Sequence, residues 1–202
     1  MKKIWDFNPF RETTAIIDEF GNEVTYKDLN DAADCLASVI GKRCLAFSLC
    51  RNEIGSVVGY VGFMNNGIVP VLLNSHLEEE LLKNLLETYK PAYLWVPKDQ
   101  IVQFSEMKEK HAAFGYVLLE SGYSKEYVLY DELGLLLTTS GSTGSPKFVR
   151  QSYTNVLDNA QSIVKYLELD NTERPITTLP MNYTYGLSII NSHFLVGATL
   201  LV

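Results

Sequence analysis

Leu-Leu-Leu-Thr-Thr-Ser-Gly-Ser-Thr-Gly-Ser-Pro-Lys-Phe-Val-Arg, residues 135–150, reads as strand, loop and strand. An apolar run enters a cluster of glycines and hydroxyls, and the chain leaves through Pro146 and Lys147 into a second apolar run. Gly141 and Gly144 permit positive φ, so successive amides can turn inward on an anion. Thr138, Thr139, Ser140, Ser142, Thr143 and Ser145 add hydroxyl donors, and Lys147 adds a mobile cation. Two readings fit these residues, a polyphosphate cradle and a Ser/Gly connector. Placement directly between two strand-like runs, with one lysine following a proline, favours the cradle.

Two familiar phosphate loops do not fit. Counted from Gly141, the G-x-x-x-x-G-K-[ST] pattern needs glycine where Pro146 stands and a hydroxyl residue where Phe148 stands. The G-x-G-x-x-G spacing is absent as well.

Working outward, strand-like and helix-like runs alternate. Residues 14–18 and 23–25 read as a hairpin around Phe20, Gly21 and Asn22. Thr25 is placed to cap a helix whose Leu29, Ala33, Leu36 and Ile40 recur at helical spacing, and Gly41 closes it. A strand over 44–49 precedes a Val- and Gly-rich helix that runs to Met64, with Asn52 as its expected cap. The unbroken apolar run 68–73 has the look of a strand covered on both sides. Ser75 to Glu78 reads as a capping box for a helix with Leu81, Leu82, Leu85 and Leu86 on one face, ended by Pro91. Glu78, Glu79 and Glu80 read as its solvated N-terminus. Further strands are expected over 92–96, 116–119, 127–130, 176–179 and 198–202. Helices are expected over 101–110, from the Ser152 cap to Leu167, and over 187–195. This alternation predicts an α/β fold, layered, with mainly parallel sheets and flanking helices.

With 47% hydrophobic residues in 202, the chain has the material for a sizeable core. A formal net charge of −7 argues against a nucleic-acid partner, which clustered Lys and Arg would have to hold. The three cysteines, Cys35, Cys44 and Cys50, show no C-x-x-C spacing, and the pattern fits buried thiols in a reducing compartment. Asp6, Asn8 and Pro9 interrupt any signal-peptide core, and the apolar run 55–64 is too short to span a bilayer. A cytoplasmic protein with no membrane span is therefore expected. His76, His111 and His193 lack ligand spacing, and no metal site is expected from side chains alone.

Residues 139–147 resemble, nearly residue for residue, the phosphate-loop signature of the adenylate-forming superfamily, which includes acyl-CoA synthetases, luciferases and nonribosomal peptide synthetase adenylation domains. Val24-Thr-Tyr-Lys-Asp-Leu29 looks like the family's early T-Y-x-x-L segment. Asn66-Gly-Ile-Val-Pro-Val71 is similar to its glycine-to-proline region, and residues 179–187 to the P-x-x-H-x-x-G-L segment beside its acid pocket.

The resemblance implies an AMP-forming acid–thiol ligase of the acyl-CoA synthetase type. Such an enzyme uses ATP and Mg2+, activates a carboxylic acid as the acyl-adenylate, and passes it to coenzyme A or a carrier-protein thiol. By carry-over, Thr139, Ser140, Gly141, Ser142, Thr143, Gly144 and Lys147 bind the nucleotide's phosphates, with Lys147 in the catalytic role. Asn182, Tyr183, Tyr185 and Gly186 border the acid pocket; from the residues alone, core packing before a helix is an equal reading of the two tyrosines. Two departures stand out: Phe148 replaces the glycine usual after the lysine, and Tyr183 stands where acyl-CoA synthetases commonly carry histidine. The family's later motifs have no counterpart, so residues 1–202 are expected to be an incomplete N-terminal, ATP- and acid-binding domain without the C-terminal domain, inactive by itself. The alternative is a non-catalytic binding or assembly module, forming homo-oligomers through a free sheet edge.

Overall fold

The computed structural model describes residues 3–123, 125–138 and 148–202. A hairpin of β1 (Thr14–Ile17) and β2 (Glu23–Thr25) leads into α1 (Tyr26–Ile40), β3 (Leu45–Cys50), α2 (Ile54–Asn65) and β4 (Val69–Asn74). Then come α3 (Glu79–Tyr89), β5 (Tyr93–Pro97), a 3-10 turn over Lys98–Phe104, β6 (Lys108–Ala113), β7 (Tyr116–Glu120) and β8 (Leu133–Thr138). After β9 (Phe148–Ser152) follow α4 (Tyr153–Leu167), α5 (Thr184–Val196) and β10 (Leu200–Leu201).

Among the described residues the large sheet has seven strands in the order β6-β7-β5-β3-β4-β8-β9. Its centre, β5-β3-β4-β8, is parallel, and both margins are antiparallel. The small sheet has three strands, with β1 between β10 and β2. The predicted α/β layering therefore stands, with its parallel strands gathered in the middle of the large sheet.

Side chains alternate between the two faces of that sheet. Leu45, Phe47 and Leu49 of β3, with Val69, Val71 and Leu73 of β4, pack with Leu82, Leu85 and Leu86 of α3. On the other face, Ala46 and Trp95 meet Leu36 and Ile40 of α1 and Phe63 of α2. Because both faces are covered, β3 and β4 read as near-continuous apolar runs. Every residue of α2 is buried, so it has no polar stripe and must approach its neighbours on all sides. Gly59 makes that possible: a Cβ there would lie 2.3 Å from the Trp95 indole, whose Nε1 donates to the Gly55 carbonyl oxygen at 2.8 Å.

The Thr25 cap forms as expected, reciprocally with Asp28, and Gly41 ends α1 at φ 66°. Other local expectations give way to tertiary partners. The N-cap of α2 is Glu53 and not the expected Asn52, and it makes no side-chain cap bond; the Asn52 amide bonds Thr177, Leu179 and Met181 instead. No capping box forms at Ser75; α3 starts one residue after Glu78, and the buried Ser75 hydroxyl accepts from Arg51 Nε at 3.3 Å. The helix predicted over 101–110 does not form: its start belongs to the 3-10 turn that ends at Phe104 and its last three residues to the strand β6, which supplies an antiparallel partner to β7 on its outer side. Residues 127–130 join no sheet; Tyr127 Oη instead donates to the Tyr89 carbonyl oxygen at 2.5 Å. The strand predicted over 176–179 is reduced to a single bridge between Ile176 and Leu201.

Candidate functional site

The parallel strands β3, β4, β5 and β8 end on one edge of the large sheet, the edge at which open α/β sheets place ligands. From that edge the chain leaves β8 at Thr138 and re-enters the sheet at Phe148, and these two residues are register partners. Thr139, Ser140, Gly141, Ser142, Thr143, Gly144 and Lys147 themselves lie outside the described residues.

The second half of the predicted site is described. Asn182, Tyr183, Tyr185 and Gly186 come together at the start of α5, and Asn52 positions the approach to it. Asn52 Nδ2 donates to the carbonyl oxygens of Thr177 and, at 3.0 Å, of Leu179, while its Oδ1 accepts from Met181 N at 3.1 Å. Gly186 is required by sterics: a Cβ there would lie 2.4 Å from the Pro180 carbonyl oxygen. Asn182 is buried, whereas Tyr183 is 45% and Tyr185 68% exposed, which removes the core-packing reading of the two tyrosines. Tyr183 is the N-cap of α5 and makes no side-chain cap bond, so the first-turn amides keep their partial positive charge.

Between α5, α4 and the β8–β9 pair lies a cleft of about 280 Å³. Leu135, Leu137, Val156 and Leu187 give it an apolar lining, and Gln151, Asn155, Asn159, Ser188 and Asn191 give it polar walls. Sequence reading passed over this polar set. The signal was there in the spacing: Asn155 and Asn159 lie one helical turn apart on α4, and Ser188 and Asn191 on α5.

Asn191 is held from two sides. Its Oδ1 accepts from Tyr60 Oη at 2.9 Å, and its carbonyl oxygen accepts from Trp5 Nε1 at 3.3 Å. Burial pushes the Tyr60 hydroxyl far above its usual range, so it stays a proton donor. A larger cavity of about 660 Å³ opens beside the β1–β2 hairpin, but none of the predicted site residues lines it. Arg51 on its wall is already engaged by Asp99 at 2.9 Å and Glu53 at 3.6 Å.

Among the described residues no group of His, Cys, Asp and Glu could hold a metal ion. Burial pushes the Cys44 and Cys50 thiols up to about 11, so neither is a ready nucleophile at neutral pH. His193 is buried and its Nδ1 lies 2.7 Å from the Ile189 carbonyl oxygen of its own helix, a structural role. No helix among the described residues is long and apolar enough to cross a membrane.

A family model described as AMP-binding enzyme matches residues 5–202. The 2-succinylbenzoate–CoA ligase of Oceanobacillus iheyensis is 24% identical over 207 residues, covering 98% of this chain and 42% of the ligase. The D-alanine–D-alanyl carrier protein ligase of Streptococcus pneumoniae is 24% identical over 184 residues, covering 84% of this chain and 34% of that protein. The crystal structure of apo MatB from Rhodopseudomonas palustris matches with a TM-score of 0.81 at 19% identity, over 98% of this chain and 43% of that one. At that identity the match shows the fold alone. The chain spans less than half the length of each of these proteins.

Proposed function

Because the chain belongs to the AMP-binding enzyme family, within the adenylate-forming superfamily, we propose that it is the N-terminal, ATP- and acid-binding part of an AMP-forming acid–thiol ligase. The observation that carries this reading is the 139–147 signature in the sequence; of the described residues, its neighbours Thr138 and Phe148 are register partners on β8 and β9.

The substrates are a carboxylic acid and Mg2+-bound ATP, and the acceptor is the thiol of coenzyme A or of a carrier protein. The carboxylate attacks the α-phosphorus, an acyl-phosphate bond forms, and the bond to pyrophosphate breaks. Negative charge grows on the departing pyrophosphate. The hydroxyls of Thr139, Ser140, Ser142 and Thr143, the amides at Gly141 and Gly144, and the Lys147 ammonium supply the donors that this charge needs. Mg2+ bound with the ATP would add charge neutralisation on its phosphates. At the acid end, Tyr183 cannot be cationic as a histidine could. The uncapped amides of α5 supply positive partial charge there instead.

Charge-assisted hydrogen bonds contribute about 1.5–3 kcal/mol. Lys147→Ala in the full-length protein is therefore expected to slow acid-dependent pyrophosphate exchange by about tenfold to a hundredfold. An unchanged exchange rate would overturn the assignment of Lys147.

A further inference from the structure

We propose that Arg43 is a positioning residue of this ligase: from the edge of the large sheet opposite the site, it sets the seating of the β8–β9 pair and, through it, the placement of the phosphate-binding signature that joins the two strands in sequence. The proposal rests on the ligase reading above and adds to it a residue that acts through others.

Arg43 precedes β3, and its guanidinium bridges three segments. Nη1 donates to the Gly67 carbonyl oxygen at 2.7 Å and to Tyr153 Oη at 3.2 Å. Nη2 donates to the carbonyl oxygens of Tyr130 at 2.6 Å and Leu133 at 2.8 Å. Gly67 leads into β4, Leu133 is the first residue of β8, and Tyr153 directly follows β9. Leu133 and Ser152 are register partners, and Tyr153 N donates to the Glu132 carbonyl oxygen at 3.0 Å. These bonds therefore fall on the base of the β8–β9 pair. One planar fork ties both strands to the parallel core, which the point charge of a lysine does not reproduce.

The ladder shows why the base needs such a tie. β3 and β4 are matched over six register pairs, from Leu45 with Val69 to Cys50 with Asn74. Among the described residues β4 and β8 are matched over two, Val71 with Leu136 and Leu72 with Leu137. Both pairs lie in the half of β8 next to Thr138. Leu133, at the other end, receives its polar tie to the core from Arg43. Freeing the base lets the pair tilt about this short ladder, and the tilt reaches Thr138 and Phe148, the register partners that flank the signature. Misplacement of reacting groups by about 1 Å is enough to slow a reaction strongly.

The test is pyrophosphate exchange by the full-length protein with ATP and its best acid from a panel of carboxylic acids, each rate divided by the folded fraction from urea unfolding. In Arg43→Lys, kcat/KM for ATP is expected to fall about tenfold while KM for the acid stays within about twofold, because the displaced groups are those that meet the phosphates. Tyr153→Phe removes one acceptor and keeps the ring; it should lower kcat/KM for ATP by about two- to threefold. Leu36→Ala in α1, whose core cluster among the described residues holds none from β8 or β9, lowers stability alone and should leave kcat/KM for ATP per folded molecule unchanged. Should Arg43→Lys fail to fold, Tyr153→Phe decides by the same criterion. A wild-type kcat/KM for ATP in the variant that decides, a fall shared equally by Leu36→Ala, or a loss confined to KM for the acid overturns this inference and leaves the ligase reading standing. Exchange by the wild type with no acid at all overturns the ligase reading and this inference with it.

Discussion

Asn52 and Leu179, 127 positions apart in the chain, are joined by a 3.0 Å hydrogen bond from Asn52 Nδ2 to the Leu179 carbonyl oxygen. The same side chain also holds Thr177 and Met181. One asparagine therefore ties the N-terminal side of α2 to the segment that delivers Asn182 and Tyr183 to the site. Asn52→Ala leaves two carbonyls and an amide to find water, at a cost of about 1–3 kcal/mol. Urea unfolding measures it, and an unchanged midpoint would show that the clamp contributes nothing.

Gly186 stands against backbone atoms that cannot rotate away, with the Leu179 carbonyl oxygen 2.6 Å from where a Cβ would sit. Gly186→Ala must push the 179–180 turn off α5, costing about 1–3 kcal/mol as overpacking does. In the full-length protein the KM for the acid should rise with it. A variant with wild-type stability and wild-type KM would mean that the close approach is not needed.

The Cys44 and Cys50 thiols are raised from their ordinary 9.0 to about 11 in the folded chain. Below pH 9 both states hold the proton, and the shift leaves stability level. Between about pH 9 and 11 the unfolded chain loses protons that the folded chain keeps, so stability falls as pH rises. Denaturant unfolding at pH 8, 9 and 10 should show that decline, and Cys50→Ala should make it shallower. Iodoacetamide at pH 8 should label the exposed Cys35 well before Cys50. Equal labelling of the two would contradict the burial of Cys50.

Local and periodic signals were legible wherever the residues that decide an element lie within it. Thr25 and Gly41 delimit α1 because a cap and a left-handed closing residue act over one turn. The apolar run 68–73 announced a doubly covered strand, and β4 is one. Edges and loops were less legible. Nothing in Lys108–Ala113, whose side chains are mostly exposed, advertises a strand; β6 exists because the outer edge of β7 offers it hydrogen bonds. The candidate site divides in the same way. The 139–147 signature and the 179–187 segment could be found by their own residues, whereas the polar cleft left only the one-turn pairs Asn155/Asn159 and Ser188/Asn191 as signals, because its meeting with Gln151 joins three separate elements.

The sequence by itself determined the α/β alternation, the family and the phosphate-loop signature, because those depend on periodicity and on contiguous residue types. Only the tertiary structure decided what Asn52, Ser75 and Asn191 do. Each is a short polar side chain with several local options, and the partner that wins is the one folding places within hydrogen-bond reach: the Leu179 carbonyl for Asn52, the Arg51 guanidinium for Ser75, and the Tyr60 hydroxyl for Asn191.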